Sequence, residues 1–278
     1  MMVLPKIGSI RVFSFGGGVQ SMAVLVLQAQ GRITPYDAFV FANVGEDSEN
    51  PATLAYLETI SKPFAAAYGI PLIEVRKLTH NKPETLLQHL YRVQRAVPIP
   101  IYMQTGAPGH RTCTTEFKIN VVDRWIRREG YSHAVIGMGI STDEFQRARD
   151  TDWHDRHKTK RFGFWKKREY PLIALRLSRQ DALAVINAAG LPTPPRSACW
   201  FCPFTSTARW IERRRTEPEL FAQAVALEEM INIKRENIGR DRVYLHRSLR
   251  PLDKAVSEQL PLFPDDDGST CDSGYCFV

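Results

Sequence analysis

The chain has 278 residues, 37 Lys+Arg against 30 Asp+Glu, a formal charge of +7, and 44% hydrophobic residues. This describes one soluble globular unit, large enough to be stable without disulfide staples. No run approaches the ~18 apolar residues of a membrane span, and the opening MMVLPKIGS lacks the parts of a signal peptide. The expectation is a cytoplasmic chain with no membrane partner, whose five cysteines serve metal binding or redox chemistry.

An apolar strand over residues 11–15 breaks at Gly16-Gly17-Gly18 and leads into a helix over 20–30 that stops at Gly31. A second strand over 37–42 precedes a helix over 51–68, with Pro51 at its start and Gly69 as its stop. A third strand follows over 71–75, then a helix over 83–95, a Pro- and Gly-rich loop over 97–112 and a helix over 114–128. Residues 134–140 read as a strand and 170–175 as another, before Ser178 and Asp181 form a capping box for a helix ending at Gly190. Strands alternating with helices imply an α/β fold built on a doubly wound parallel sheet. Beyond three prolines in 191–195 the pattern changes to a Cys-x-x-Cys segment and two helices over 205–215 and 217–236. The expected division is a sheet domain over 1–190, a helical, cysteine-bearing extension over 191–260, and a flexible tail over 261–278.

Two segments interleave basic and aromatic residues. Seven Lys/Arg fall within the thirteen residues 156–168, beside Phe162, Phe164 and Trp165, and Arg209, Arg213, Arg214 and Arg215 flank Trp210. Cations neutralise phosphates and aromatic faces stack on unpaired bases, so a nucleic acid is the expected partner. A solvated loop and an ordinary helix surface account for the same residues.

The turn Ser14-Phe15-Gly16-Gly17-Gly18-Val19-Gln20-Ser21 lies where the first strand meets the first helix. Glycines there allow close backbone approach, so amides and the positive helix end converge on one anion, with Ser14 and Ser21 as further donors. It is neither a Walker motif nor G-x-G-x-x-G. The turn resembles the PP-loop of the ATP-pyrophosphatase superfamily, and the chain is similar to the phosphoadenosine phosphosulfate reductase-like family, with relatives in DNA phosphorothioation and tRNA thiolation. Further segments agree in order: 41–46 with Asn43, 111–114 with Lys118, Gly137 to Ile140 followed by Asp143, Glu144 and Arg147, 170–172, and 197–203. The resemblance implies an adenine nucleotide alpha-hydrolase-like sheet that binds ATP or a related adenine nucleotide. Gly16, Gly17, Gly18, Val19, Gln20 and Ser21 would hold the phosphates, Asn43 and Gly139 would line the site, and Arg147 would lie near the phosphates. The alternative for Arg147 is a surface residue at i,i+3 from Glu144. The acid usual in the PP-loop is absent, its place taken by Val19-Gln20. Any magnesium role is dropped or passes to Glu46 or Asp47.

Cys199 and Cys202 have a spacing that suits a shared metal. The resemblance adds Cys113 as a third ligand and implies a four-iron cluster, with structural zinc as the competitor. Cys271 and Cys276 lie in the final eight residues. By the same resemblance, a mobile cysteine there attacks sulfur. Three functions follow from the family: an enzyme that adenylates a nucleic-acid acceptor, which the resemblance narrows to DNA or tRNA, for sulfur incorporation, a sulfonucleotide reductase, or a non-catalytic nucleotide-binding subunit. A cysteine desulfurase or a thioredoxin-like protein is the expected sulfur or electron donor.

Overall fold

A computed structural model describes residues 6–148, 152–153 and 165–256, and eight strands run through them. They are β1 (Lys6–Phe15), β2 (Ala38–Asn43), β3 (Leu72–Arg76), β4 (Leu78–Thr79), β5 (Lys82–Pro83), β6 (Tyr131–Met138), β7 (Asp152–Trp153) and β8 (Trp165–Glu169). The chain gathers into two units. The first holds the N-terminal segment through Asn43, Asn50–Lys77 and Phe117–Ser197; the second holds Val44–Glu49, Leu78–Glu116 and the chain from Ala198 onward.

The first unit is built on a sheet of order β3-β2-β1-β6-β8-β7. Five strands are parallel, and β7 runs antiparallel on β8. The alternation of side chains along β1 and β2 explains why both faces are covered. Phe13, Phe15, Phe39 and Phe41 pack with Met22, Leu25, Leu57 and Ile186 on one face, while Ile10, Val12, Ala38 and Val40 pack with Val121, Val122 and Ile126 on the other. Helix α1 (Val19–Ala29) is buried continuously from Val19 to Leu27, because it packs against the sheet and the Arg179–Ala188 helix together. The expected strands over 11–15, 37–42, 71–75 and 134–140 all appear within a few residues of their expected bounds. The architecture is a mostly parallel α/β sheet, consistent with a doubly wound fold.

Residues 170–175 are not a strand. Pro171 opens a short helix, Pro171–Ala174, since its fixed φ suits the first helical position. The strand at that edge is β8, which lies in the basic segment read above as a loop. Lys166 there joins Asp123 at 2.6 Å, with both side chains largely buried, whereas Trp165 and Lys167 are exposed.

The second unit carries the β4–β5 hairpin and the helices Leu86–Arg92, Thr207–Thr216 and Pro218–Glu236. The last of these organises the chain that follows it. Buried Glu228 accepts from the backbone N–H of Leu245 and Leu252, and Asn232 both donates to and accepts from Val243. Burial nonetheless leaves the Glu228 carboxyl above its ordinary pKa, despite those two amides.

Reversing Lys166 to Glu sets two carboxylates together at a largely buried position and should lower stability by about 2–4 kcal/mol. Lys167→Glu, on the exposed side of the same strand, should change it by less than about 0.5 kcal/mol. Urea denaturation of the two variants checks this; equal midpoints would contradict the paired position of Lys166.

Candidate functional site

The sheet order reverses beside β1: β2 and β3 extend to one side, β6 and β8 to the other. In open α/β sheets ligands bind beyond the carboxyl ends of the strands at such a point. Here those ends are Phe15 and Met138, so the turn Gly16–Gly18 and Gly139 form its lip. Gly17 has φ +76°, and a Cβ on it would lie 3.0 Å from Thr53 Cγ2 and 3.5 Å from Phe41 Cε2. Gly139 meets the first turn of α1 closely, its missing Cβ falling 3.3 Å from the Ser21 nitrogen.

The turn is braced from two directions within the first unit. The Ser197 hydroxyl donates to the Gly16 carbonyl, and the Arg196 carbonyl accepts from Asn50 Nδ2 at 3.2 Å and Thr53 Oγ1 at 3.1 Å. Ser21 closes the start of α1 upon itself, its hydroxyl donating to Gly18 O at 2.9 Å and accepting from Gly18 N at 3.1 Å. Val19 and Gln20 are buried in the same turn. Ser14 is half-buried within β1, in register with Val40 and Met138. Buried Asn43 ends β2 and donates to Glu74 Oε1 at 2.9 Å.

Buried Gln20 takes part in a polar group assembled from distant segments. Its amide nitrogen lies 3.5 Å from Glu144 Oε2, and its amide oxygen accepts from Arg179 Nη1 at 3.4 Å. Arg147 donates to the same Glu144 oxygen at 2.6 Å, with both side chains at most 5% exposed. Arg147 therefore has the i,i+3 partner expected of a surface residue, but the pair is buried. Burial pushes the Glu144 carboxyl up to about 7, against the lowering effect of Arg147 and Arg179. The neighbouring Asp143 instead accepts from the Arg179 backbone N–H and from Ser141 Oγ.

The two carboxylates suggested as replacements for the missing acid belong to the second unit. Glu46 is exposed, and Asp47 accepts from Thr85 Oγ1 at 2.8 Å and Ser48 Oγ at 2.7 Å. Asp47 thus fastens its own loop, which the Trp200 indole also grips through the Asp47 carbonyl at 2.7 Å.

Cys113, Cys199 and Cys202 fall in that second unit, half-buried and outside any disulfide. Cys113 N donates to Pro98 O at 2.7 Å, and Cys202 N to Cys199 O at 3.1 Å in a tight turn. The Arg111 guanidinium lies 5.5 Å from the Phe204 ring centroid, which brings the chain just before Cys113 beside the chain just after Cys202. Among the described residues no group of three His, Cys, Asp or Glu is arranged to hold a metal ion. Cys271, Cys276 and residues 154–164 of the basic segment lie outside the described residues.

In the second basic cluster Arg209 and Arg215 are exposed, whereas Trp210, Arg213 and Arg214 are engaged in packing. Trp210 is fully buried, with the Arg213 guanidinium 5.5 Å from its ring centroid. Arg213 also pairs with Glu217 at 3.0 Å and donates to Trp200 O, while Arg214 donates to the carbonyls of Asp253 and Val256. Sequence reasoning missed Thr53, Ser197, Gln20's partner Glu144, and Arg179. Only Glu144 and Ser197 stood within motifs, and their contacts span 124 and 181 positions.

No family model matches the chain, and no curated protein matches it. Among the described residues, no helix is long and apolar enough to cross a membrane.

Gly17→Ala should destabilise the chain by about 1–3 kcal/mol, combining left-handed backbone strain with the crowded Thr53 methyl. Gly18 is an extended helix cap with φ −102°, and its Cβ would meet only Ser197 Cβ at 3.6 Å. Gly18→Ser should therefore stay within about 0.5 kcal/mol of the parent in urea denaturation.

Proposed function

We propose that the first unit binds ATP or a related adenine nucleotide through its phosphates at Gly16–Gly18, and that the chain is a PP-loop enzyme activating a nucleic-acid acceptor for sulfur incorporation. The observation that carries the reading is the left-handed Gly17 turn, which opens from the central strand onto the N-terminus of the eleven-residue helix α1 at the point where strand order reverses. Such a helix start favours anions through its dipole and amides. Arg147 and Arg179, gathered on Gln20 and Glu144, supply positive charge to the same end of α1.

In this reading an acceptor oxygen attacks the α-phosphorus, pyrophosphate leaves along the glycine turn, and a sulfur nucleophile then displaces AMP. Exposed Trp165 and Lys167 on β8 favour a nucleic-acid acceptor, DNA or tRNA. Cys113, together with Cys199 and Cys202 of the C-terminal, cysteine-bearing extension, would hold an iron-sulfur cluster or zinc. Cys271 and Cys276 favour a second reading, reduction of a sulfonucleotide. Gln20 in place of an acid favours a third, nucleotide binding without turnover.

Asp is a better helix cap than Gly, so Gly18→Asp should preserve or raise the melting temperature while its carboxylate repels phosphate. Calorimetric titration with ATP should show at least a tenfold loss of affinity in this well-folded variant. Unchanged affinity would move the nucleotide elsewhere. Turnover of ATP with DNA or tRNA, against turnover of adenosine phosphosulfate, separates the first reading from the second.

After anaerobic purification the parent should carry iron and acid-labile sulfide, and Cys113→Ser, Cys199→Ser and Cys202→Ser should each lose most of it. One zinc per chain and no sulfide would replace the cluster with a structural metal. Neither metal would remove the cysteines from any metal role.

A further inference from the structure

Glu144 is a buried acid that the chemistry above does not use. Its Oε2 accepts from Arg147 at 2.6 Å and lies 3.5 Å from the Gln20 amide nitrogen. Its Oε1 is shut off from solvent and, among the described residues, has no hydrogen-bond partner. Buried polar atoms are rarely left so, because an unmade bond costs the full desolvation of the group. The same carboxyl meets the first turn of α1 through Gln20, and Gly139 closes against that turn from β6. An unsatisfied acid is thus joined to the first turn of α1 through Gln20.

From this geometry we infer that Glu144 is a phosphate-binding residue that acts as a carboxylic acid: as the nucleotide draws Arg147 and Arg179 aside, the Oε1–H, closed off in the free protein, donates to a phosphate oxygen. The inference rests on the nucleotide reading above and adds the proton to it. A carboxylate beside phosphate would repel it; the protonated group satisfies its own orphan oxygen and the ligand at once. No bond other than the O–H is made, and the proton comes from solvent.

The groups around Glu144 fit this role. Arg147 on the same turn and Arg179 on the Arg179–Ala188 helix favour the charged form, Asp143 opposes it, and Gln20 from α1 is neutral. Burial outweighs the two guanidiniums and holds the free carboxyl near pKa 7. An incoming polyphosphate adds negative charge and draws Arg147 and Arg179 toward itself, which raises the value further. Between the free and the bound pKa, binding takes up one proton, so affinity falls about tenfold for each pH unit above 7. Below the free pKa, Glu144 is already protonated and this dependence vanishes.

The test is calorimetric titration of the full chain with magnesium-free ATP, from pH 6 to 9, in buffers of different ionisation enthalpy. The titration of ATP itself is common to all variants and cancels in the comparison. At pH 8 the parent should take up about one more proton than Glu144→Gln, whose affinity should be flatter with pH by about tenfold per unit. Equal proton uptake in the two proteins, with ATP bound by both, overturns this inference and leaves the nucleotide reading standing. Absence of ATP binding by the parent even at pH 6 overturns both. Should Glu144→Gln fail to fold, Arg179→Gln serves instead. It removes a group that favours the charged form, so the pH at which affinity begins to fall should move upward even if affinity drops. An unmoved or lowered midpoint overturns the inference.

Discussion

The arrangement of the first unit depends on where β1 can end. β1 is flanked by β2 and β6, and both of its faces are packed with apolar side chains, so the chain can leave it only along the strand direction. It must then turn into α1, whose residues are buried from the first position. A left-handed residue without a Cβ makes that turn, and Thr53, Phe41 and Ser197 crowd the place where a Cβ would be. The brace fixes the turn as much as the glycines permit it. Ser197 holds Gly16 by its carbonyl, and Arg196 is held by the first residues of the helix beginning at Pro51. The turn at the end of β1 is thus held by contacts from three separate stretches of sequence.

Positive charge plays two roles that composition cannot distinguish. Arg11 lies against Tyr36 and pairs with Glu169, Lys166 pairs with Asp123, and Lys234 donates to the carbonyls of Leu90 and Tyr91. Guanidinium and ammonium groups placed over rings or on backbone carbonyls fasten elements together, because several donors on one flexible stem can satisfy scattered acceptors. Arg213 and Arg214 do this for the Thr207–Thr216 helix. A net charge of +7 therefore overstates the cations available to a polyanion, and the aromatic of the second cluster, Trp210, is a core residue.

What was legible in the sequence was what local chemistry decides. The capping box at Ser178 and Asp181, the proline opening a helix at Pro51, and the glycine stops at Gly31, Gly69 and Gly190 all have the backbone expected of them. β8 was not legible because WKKRE carries no apolar alternation; it is a strand because β6 and β7 supply its hydrogen bonds and Asp123 and Arg11 take up two of its charges. Reading 170–175 as a strand followed from its apolar run, which cannot separate a short buried helix from a strand, and Pro171 decides for the helix. The glycine turn was found as a motif, yet its bracing by Thr53 and Ser197 was invisible, since tertiary proximity has no local signature. The grouping of Val44–Glu49 and Leu78–Glu116 with the cysteine-bearing chain is of the same kind.

An amide at position 20 has a physical explanation in the groups around it. With Glu144 already 3.5 Å from the side chain at position 20, a second carboxylate there would place two like charges in a nearly dry environment. One of the two would have to stay protonated, and the pair would compete for Arg147 and Arg179. An amide avoids the conflict: it donates through nitrogen to Glu144 and accepts through oxygen from Arg179, so both ends of Gln20 are used by groups of opposite character. Gln20 and Glu144 are therefore best understood as one unit. The acid stands in the turn after β6, and the amide links it to the helix end; an acid at position 20 would be coherent only with Glu144 neutralised.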